Sequence, residues 1–537
     1  MRIVRIKAGG GEGGSPEEIG AKASILARVA ELGLPVPPAF VLPIELGAAM
    51  SAGDKDAERT FVAYLKEGIA FLEDATGLRF GHRRKPLLVS VRSGAAHSMP
   101  GMLDSVLDVG CNSEATRGLI RMTGNPRFAW DCRRRFLEGY AKTVLGLDQS
   151  PFKAKRDELT AEEGAANDLE LDSEALERLA FIYEALIVSE SDEIEDDPMK
   201  QLIEAARAVY RSWNGDRALT YRRLQGFDDL KGSAVMVQAM VFGNSGTASG
   251  AGVAFSRDPS TGDADPVIDV LFEAQGEDVV SGRARPKTEM ELAQSSPAIA
   301  AELRRDLAKL ERGFKDVQDM EFTIEDGRLW ILQSRSAKRT PRAALKIAVD
   351  FVQEGLIAPQ EALRRLSELD LDRLAIARFA GSATPLSRGI GAAGGVAAGR
   401  AAFDAASAES FASSGEPVIL VRPDIDTADV AGFAAASGAL TAMGGRTAHA
   451  SLIARQMGKP CVVSCAGLEV NAAARRAKIG ATLIAEGDWL SIDGDTGDVF
   501  LGQREIVAER PEAALAAIET WRAGPSHKDE TALALAE

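Results

Sequence analysis

Short apolar runs bounded by glycine, proline or charged residues recur through the first 340 positions: PLLVSVR (86–92), AVMVQAMVF (234–242), GAGVAFS (250–256), EFTI (321–324) and LWILQS (329–334). Runs of that length, rich in β-branched residues, predict strands. Helical stretches separate them, so this half reads as α+β or α/β. The middle differs. From about 150 to 210 the charge density rises (KAKRDELTAEEGAANDLELDSEALERL, then SESDEIEDD), while Leu176, Leu179, Ile182 and Leu186 keep helical spacing. This predicts a solvated helical insertion or lid over about 112–197.

From Pro341 the pattern turns helical. AALKIAVDFVQEGL is followed by Pro359, a first-turn proline opening QEALRRLSEL. These residues, 341–382, predict linker helices. The Ala/Gly-rich stretch GSATPLSRGIGAAGGVAAGRAAF marks a domain edge near Ser382. Residues 383–505 then alternate short strands (PVILVR, CVVS, DWLSID, DVFLG) with helices, the size of one α/β domain. Residues 506–537 predict a helix and a polar tail. The domains expected are therefore 1–340, 341–382, 383–505 and 506–537, with no internal repeat.

Composition changes this picture only by exclusion. The 537 residues are 45% hydrophobic and 26% charged, ordinary for several packed cores. A formal net charge of −16 disfavours nucleic acid and anionic lipid as partners. Four cysteines (Cys111, Cys132, Cys461, Cys465) cannot build a disulfide framework and are expected as buried thiols. MRIVRIKAGGGEGG lacks an apolar h-region, and no apolar run is long enough to span a bilayer, so a soluble cytoplasmic protein is expected.

Of the four histidines, His449 stands out, in Gly444-Gly445-Arg446-Thr447-Ala448-His449 followed by ASLIARQMGKP. Thr447 predicts an N-cap, Ala448 to Met457 a helix, Gly458 its C′ residue, and Pro460 prevents continuation. His449 then falls in the first turn. There, unpaired N–H groups and the helix dipole lower the imidazole pKa, keep it nucleophilic, and stabilise a phosphoryl group on it. The preceding glycines admit a phosphate chain close to the backbone. GGRTAHASLIARQMGKPCV resembles the phosphohistidine segment of the phosphoenolpyruvate-utilising enzymes, whose corresponding histidine carries a phosphoryl group between sites.

In PLLVSVRSGAAHSMPGMLDSVLDVG, Arg92 follows a strand and precedes a glycine-containing loop, a guanidinium and amides suited to phosphate. IGAKASILARVAELGLPVPP predicts a helix with Ile19, Leu26 and Val29 near one face and Lys22 among them, either snorkelling or contacting phosphate. QDMEFTIEDGRLWILQSR predicts a hairpin. A strict Asp326-Gly327 turn would face Glu321 with Leu332; a three-residue loop with Gly327 as a bulge pairs Ile324 with Arg328 and gathers Asp319, Glu321, Gln333 and Arg335 on one face. The second register is expected, and its donors suit Mg²⁺ and nucleotide phosphates.

With VQAMVFGNSGTASGAGVAFSRDPSTG and EAQGEDVVSGR, these segments resemble the ATP-grasp nucleotide domain of the pyruvate phosphate dikinase family, along most of residues 15–505. The resemblance implies nucleotide or phosphate contacts at Lys22, Arg92, Gly101, Arg135, Gly252, Glu277, Asp319 and Arg335, and metal ligation at Glu321 and Gln333. It makes His449, Arg92 and Arg335 the catalytic residues, Mg²⁺ the cofactor, and ATP and inorganic phosphate the substrates. Methionine is usual in the family where Arg446 stands, and serine where Ala448 stands. The resemblance also implies a swivelling phosphohistidine domain, with the linker helices and the glycine-rich stretch as its swivel.

A complete family member carries a (β/α)₈ barrel of about 200 to 250 residues, which the 32 residues after 505 cannot supply. The expectation is a partial dikinase: His449 takes the β-phosphoryl of ATP, phosphate takes the γ, and a separate barrel subunit passes the group to pyruvate. Alternatives are transfer to another small molecule, water or a protein, or a nucleotide-binding regulatory protein without turnover. A homodimer is one further arrangement the resemblance admits.

Overall fold

Contacts divide the chain into two units: residues 1–251 with 272–275 and 321–334, and residues 252–271, 276–320 and 335–537. Sequence patterning expects breaks near 340 and 382 instead; Phe255, Val267 and Val317 pack in one core with Leu345, Ile347 and Phe351, which joins these earlier segments to the second half. The structure is a computed structural model. It describes residues 2–523 apart from 98, 100, 101, 192, 193, 228, 281–285, 372, 373, 426–428, 447 and 448; the side chain of His449 is also outside the description.

The first unit contains a six-stranded sheet of β1 (Val4–Lys7), β2 (Gly10–Gly11), β3 (Ala39–Leu42), β4 (Val89–Ala95), β5 (Ser105–Val109) and β6 (Ser233–Ala239), ordered β2-β1-β3-β6-β4-β5. β3 and β6 are buried along their whole length, which is why β3 (AFVL) and the centre of β6 (AVMV) are continuously apolar rather than alternating. Helix α1 (Ala21–Glu31) opens on Gly20, where φ is +80° and a Cβ would lie 2.1 Å from the Gly94 carbonyl oxygen. Only glycine permits that approach to β4.

Helices α2 (Pro126–Thr143) and α3 (Ser173–Ser191) come from the charged middle. Leu176, Leu179 and Ala180 of α3 are buried in the same core as Phe40, Val89, Val91 and Val237. At about 1.5–3 kcal/mol per buried leucine, these helices are a wall of the core rather than a solvated lid. Their charges fill the outer face, where Arg178 pairs with Glu162 and Glu163 at 3.0 Å.

A five-stranded sheet, ordered β9-β8-β7-β10-β11, is built from β7 (Gly250–Phe255), β8 (Val267–Phe272), β9 (Lys287–Thr288), β10 (Gln318–Glu325) and β11 (Arg328–Ser336). In the second unit, helices α4 (Pro341–Gln353) and α5 (Pro359–Arg365) start at their prolines, as expected. Leu345, Ile347, Phe351 and Ala362 share a core with Phe255, Val267 and Val317, so these helices are fixed by packing, unlike a flexible swivel.

The chain then runs through β12 (Ile376–Phe379) into an eight-stranded sheet: β13 (Ser387–Arg388), β14 (Ile390–Ala393), β15 (Val396–Ala402), β16 (Val418–Arg422), β17 (Gly438–Thr441), helix α6 (His449–Met457), β18 (Cys461–Val463), β19 (Trp489–Asp493) and β20 (Asp498–Leu501). Its order is β13-β20-β19-β15-β16-β17-β18-β14, with β15 to β18 parallel. The chain leaves through β21 (Ile506–Glu509), which pairs antiparallel with β12, and ends in α7 (Glu512–Ala523). Entry and exit thus form one two-stranded ribbon. All four cysteines are buried and unbridged. Among the described residues no helix is long and apolar enough to cross a membrane.

Candidate active site

Helix α6 follows β17 of the parallel set, and His449 is its first residue. The N-cap expected of Thr447 lies outside the described residues. The C-terminal signals hold: Gly458 is left-handed, φ +65°, as a helix-ending C′ residue requires. The loop before the helix is tied by its carbonyls. Ser464 Oγ donates to Gly444 O (2.5 Å), Ser451 Oγ to Gly445 O (2.7 Å), and Arg455 Nη1 to Arg446 O (2.8 Å). Arg446 Nε donates to Gly391 O (3.0 Å), and Arg455 Nη1 also reaches Ala392 O (2.8 Å), both on β14. Gly445 has no room for a side chain: an added Cβ would lie 2.9 Å from both Asp269 Oδ2 and Pro286 Cγ.

Two of the expected nucleotide residues meet in the second unit. Arg335 Nε donates to Asp319 Oδ2 at 2.8 Å; Asp319 is buried, while the Arg335 side chain keeps 37% exposure. The turn that brings them together is not the one expected. Asp326 (φ +48°) and Gly327 (φ +76°) are both left-handed and lie between strand ends at Glu325 and Arg328, a two-residue hairpin turn. An unbroken ladder from that turn would oppose Ala337 to Asp316, but the Ala337 N–H donates to the Val317 carbonyl (2.9 Å). A one-residue displacement along the ladder therefore restores Asp319 and Arg335 to one face. Alternation gives Glu321 the face of Asp319 along β10, and Gln333 the face of Arg335 along β11. Gly252 is buried in β7, and Glu277 is exposed in the short helix Gly276–Val280.

In the first unit, Lys22 is half-buried on α1 and Arg92 half-buried on β4, the two elements joined by the Gly20–Gly94 contact. Glu321 and Gln333 are half-buried. One carboxylate and one amide oxygen fit Mg²⁺, a hard cation that takes few protein ligands and completes its shell with water and phosphate oxygens. Arg135 Nε pairs with buried Asp131 (3.0 Å), which also binds Arg134 (2.8 Å) and the Asn244 amide (2.7 Å). Gly101 lies outside the described residues.

Three contributors escaped sequence reasoning: Arg455, Asp258 and Asp269. Arg455 is 2% exposed, and burial pulls its pKa down to about 10, with Asp319, Asp258 and Asp269 acting in the opposite sense. Those carboxylates place the start of α6 in the electrostatic neighbourhood of the Asp319–Arg335 pair. One signal was available. Ser451 and Arg455 are four residues apart and share the buried face with Ala450 and Ala454, which marks the arginine as inward-pointing.

Residues 57–299 and 287–355 match the family described as pyruvate phosphate dikinase, AMP/ATP-binding domain, and residues 414–497 match the mobile domain of PEP-utilising enzymes. Over 509 residues, 94% of this chain, it is 40% identical to pyruvate, phosphate dikinase of Clostridium symbiosum. Identity to the chloroplastic pyruvate, phosphate dikinase 1 of Zea mays is 39% over 97% of this chain, and to the chloroplastic enzyme of Flaveria pringlei 40% over 94%. The chain spans 58, 56 and 53% of these three relatives' lengths, respectively.

Proposed function

The chain belongs to the pyruvate phosphate dikinase family, and from that premise we propose that it carries the β-phosphoryl group of ATP on His449. The imidazole attacks the β-phosphorus; AMP leaves, the γ-phosphoryl passes to inorganic phosphate, and pyrophosphate is the second product. In this reading the nucleotide binds an ATP-grasp domain, with Lys22, Arg92, Gly101, Gly252, Glu277, Asp319 and Arg335 around it. Arg92 and Arg335 balance the charge of the phosphates, and Asp319 holds Arg335 by its Nε. Arg135, held by Asp131, is proposed to join them around the nucleotide. Glu321 and Gln333 would hold Mg²⁺, which when bound neutralises phosphate charge. The first turn of α6 offers backbone N–H groups to the group on His449.

The observation that supports the reading most is the seating of Gly445 against β8, where an added Cβ would lie 2.9 Å from Asp269 Oδ2, because it brings the loop ahead of the proposed carrier onto the sheet that holds Asp319 and Arg335. In-line transfer needs reacting atoms about 3 to 3.5 Å apart, so a carrier serving two sites must travel. The β12–β21 ribbon is the proposed pivot. The proposed acceptor is pyruvate on a barrel outside these residues, carried by a partner subunit; the protein is proposed to act in the cytoplasm.

Incubation with ATP, with and without phosphate, tests the transfer. Acid-labile, base-stable phosphate on the wild-type chain that is absent from His449→Ala is expected; equal labelling of the alanine variant would overturn the assignment.

A further inference from the structure

Arg455 is a buried cation whose known hydrogen bonds go only to two neutral carbonyls. Among the described residues, nothing accepts from its Nε or Nη2, and its guanidinium carbon lies 5.2 Å from the centre of the Phe255 ring. A buried charge without a partner in contact costs several kcal/mol. Ala450 and Ala454 beside it show that small apolar residues suffice to pack this face of α6. The side chain leans back along the helix, as helical side chains do, and clamps the carbonyl of Arg446, three residues ahead of His449. The charge therefore stands at the end of the helix where the proposed carrier begins.

We propose that Arg455 is a positioning residue whose charge keeps the His449 imidazole neutral before transfer and stabilises the phosphoryl group after it. The inference rests on the reading of His449 as the carrier. The unused N–H groups, and a charge that carboxylates reach without contact and only partly offset, are what a dianion nearby would satisfy. The groups acting on Arg455 from the packed elements are Asp319 on β10, Asp258 after β7, Asp269 on β8 and Cys461 on β18, a thiol that burial pushes to about 12. Arg446 is a second cation in the loop, 4.0 Å from Asp258.

The test uses the full chain with ring-labelled histidine. Four histidines give few signals, and His449→Gln assigns the one of interest. In Arg455→Met the His449 pKa is expected to rise by about half a unit or more, roughly threefold in the protonation constant, while Arg455→Lys stays within about twofold of wild type. With ATP and phosphate, the phosphorylated fraction should fall by a similar factor in the Met variant and recover in the Lys variant. Arg455→Gln supplies the neutral side chain if the Met variant does not fold. An unchanged His449 titration in the neutral variant overturns the proposal, as does a lysine variant that behaves like methionine, because shape and not charge would then be at work. Should the wild-type chain take up no phosphate at all, the carrier reading fails while the titration still decides the role of Arg455.

Discussion

Arg134 and Arg455 are each 2% exposed, yet the protein treats them in opposite ways. Arg134 on α2 pairs with Asp131 at 2.8 Å and Asp168 at 3.1 Å. Burial pulls its pKa down, but Asp131 and Asp168 outweigh burial and leave it raised. Asp131 in turn is held well below the usual carboxylate range: Arg135, Arg134 and the Asn244 amide overcome its desolvation. Arg455 is bound by carbonyls alone, and burial prevails. The first arginine closes a network that holds helices together; the second is left with charge to spend on something else. Burial by itself does not separate structural from functional charge, whereas the identity of the contacting groups does.

The comparison breaks if the two sites respond alike. Asp131→Asn leaves Arg134 and Arg135 short of a buried partner and should cost about 3–5 kcal/mol of unfolding free energy, read by chemical denaturation; under about 1 kcal/mol would mean the network is incidental. Arg455→Met in the same assay should cost less than half as much, because it removes an unpaired charge along with its two hydrogen bonds.

Glu325 extends the contrast to a carboxylate. Burial raises its pKa to about 7, and the Phe242 N–H bond at 3.0 Å only partly counters this. The folded value lies above the ordinary 4.5, so this group's contribution to stability is full below about pH 4.5 and is lost as pH rises through 7. Glu325→Gln keeps the acceptor and removes the charge. It should flatten the stability profile between those limits and stabilise the chain at pH 8 by about 1–2 kcal/mol. A variant with the same pH slope as wild type would refute this.

Asp319→Asn is the smallest expected effect on folding. Its partner Arg335 is more than a third exposed, so the loss should be under about 1 kcal/mol, while nucleotide-dependent labelling of the chain falls at least tenfold. Loss of labelling only in step with unfolding would assign Asp319 to structure.

Local chemistry was legible in the sequence. Pro341 and Pro359 open their helices, and Gly458 closes α6. What was not legible depended on distant partners. Leu176 and Leu179 form a narrow apolar stripe within a charged helix, and nothing local shows that α2 packs against that helix. The hairpin misled through its turn: Asp326 tolerates a left-handed backbone, so two residues suffice where three were expected, and the compensating displacement lies farther along the ladder. The site was legible in part, since Asp319 and Arg335 could be placed on one face by alternation. Arg455 could not be assigned a role, because a buried arginine hydrogen-bonded to carbonyls and touching no carboxylate among the described residues is visible only in three dimensions.

The most direct test of the account follows two phosphorus atoms of one nucleotide. ATP labelled separately at the β and γ positions, given to the chain with inorganic phosphate, should leave the β label on His449 and the γ label in pyrophosphate. Stable labelling of the protein from the γ position, with the β label remaining in ADP, would contradict it.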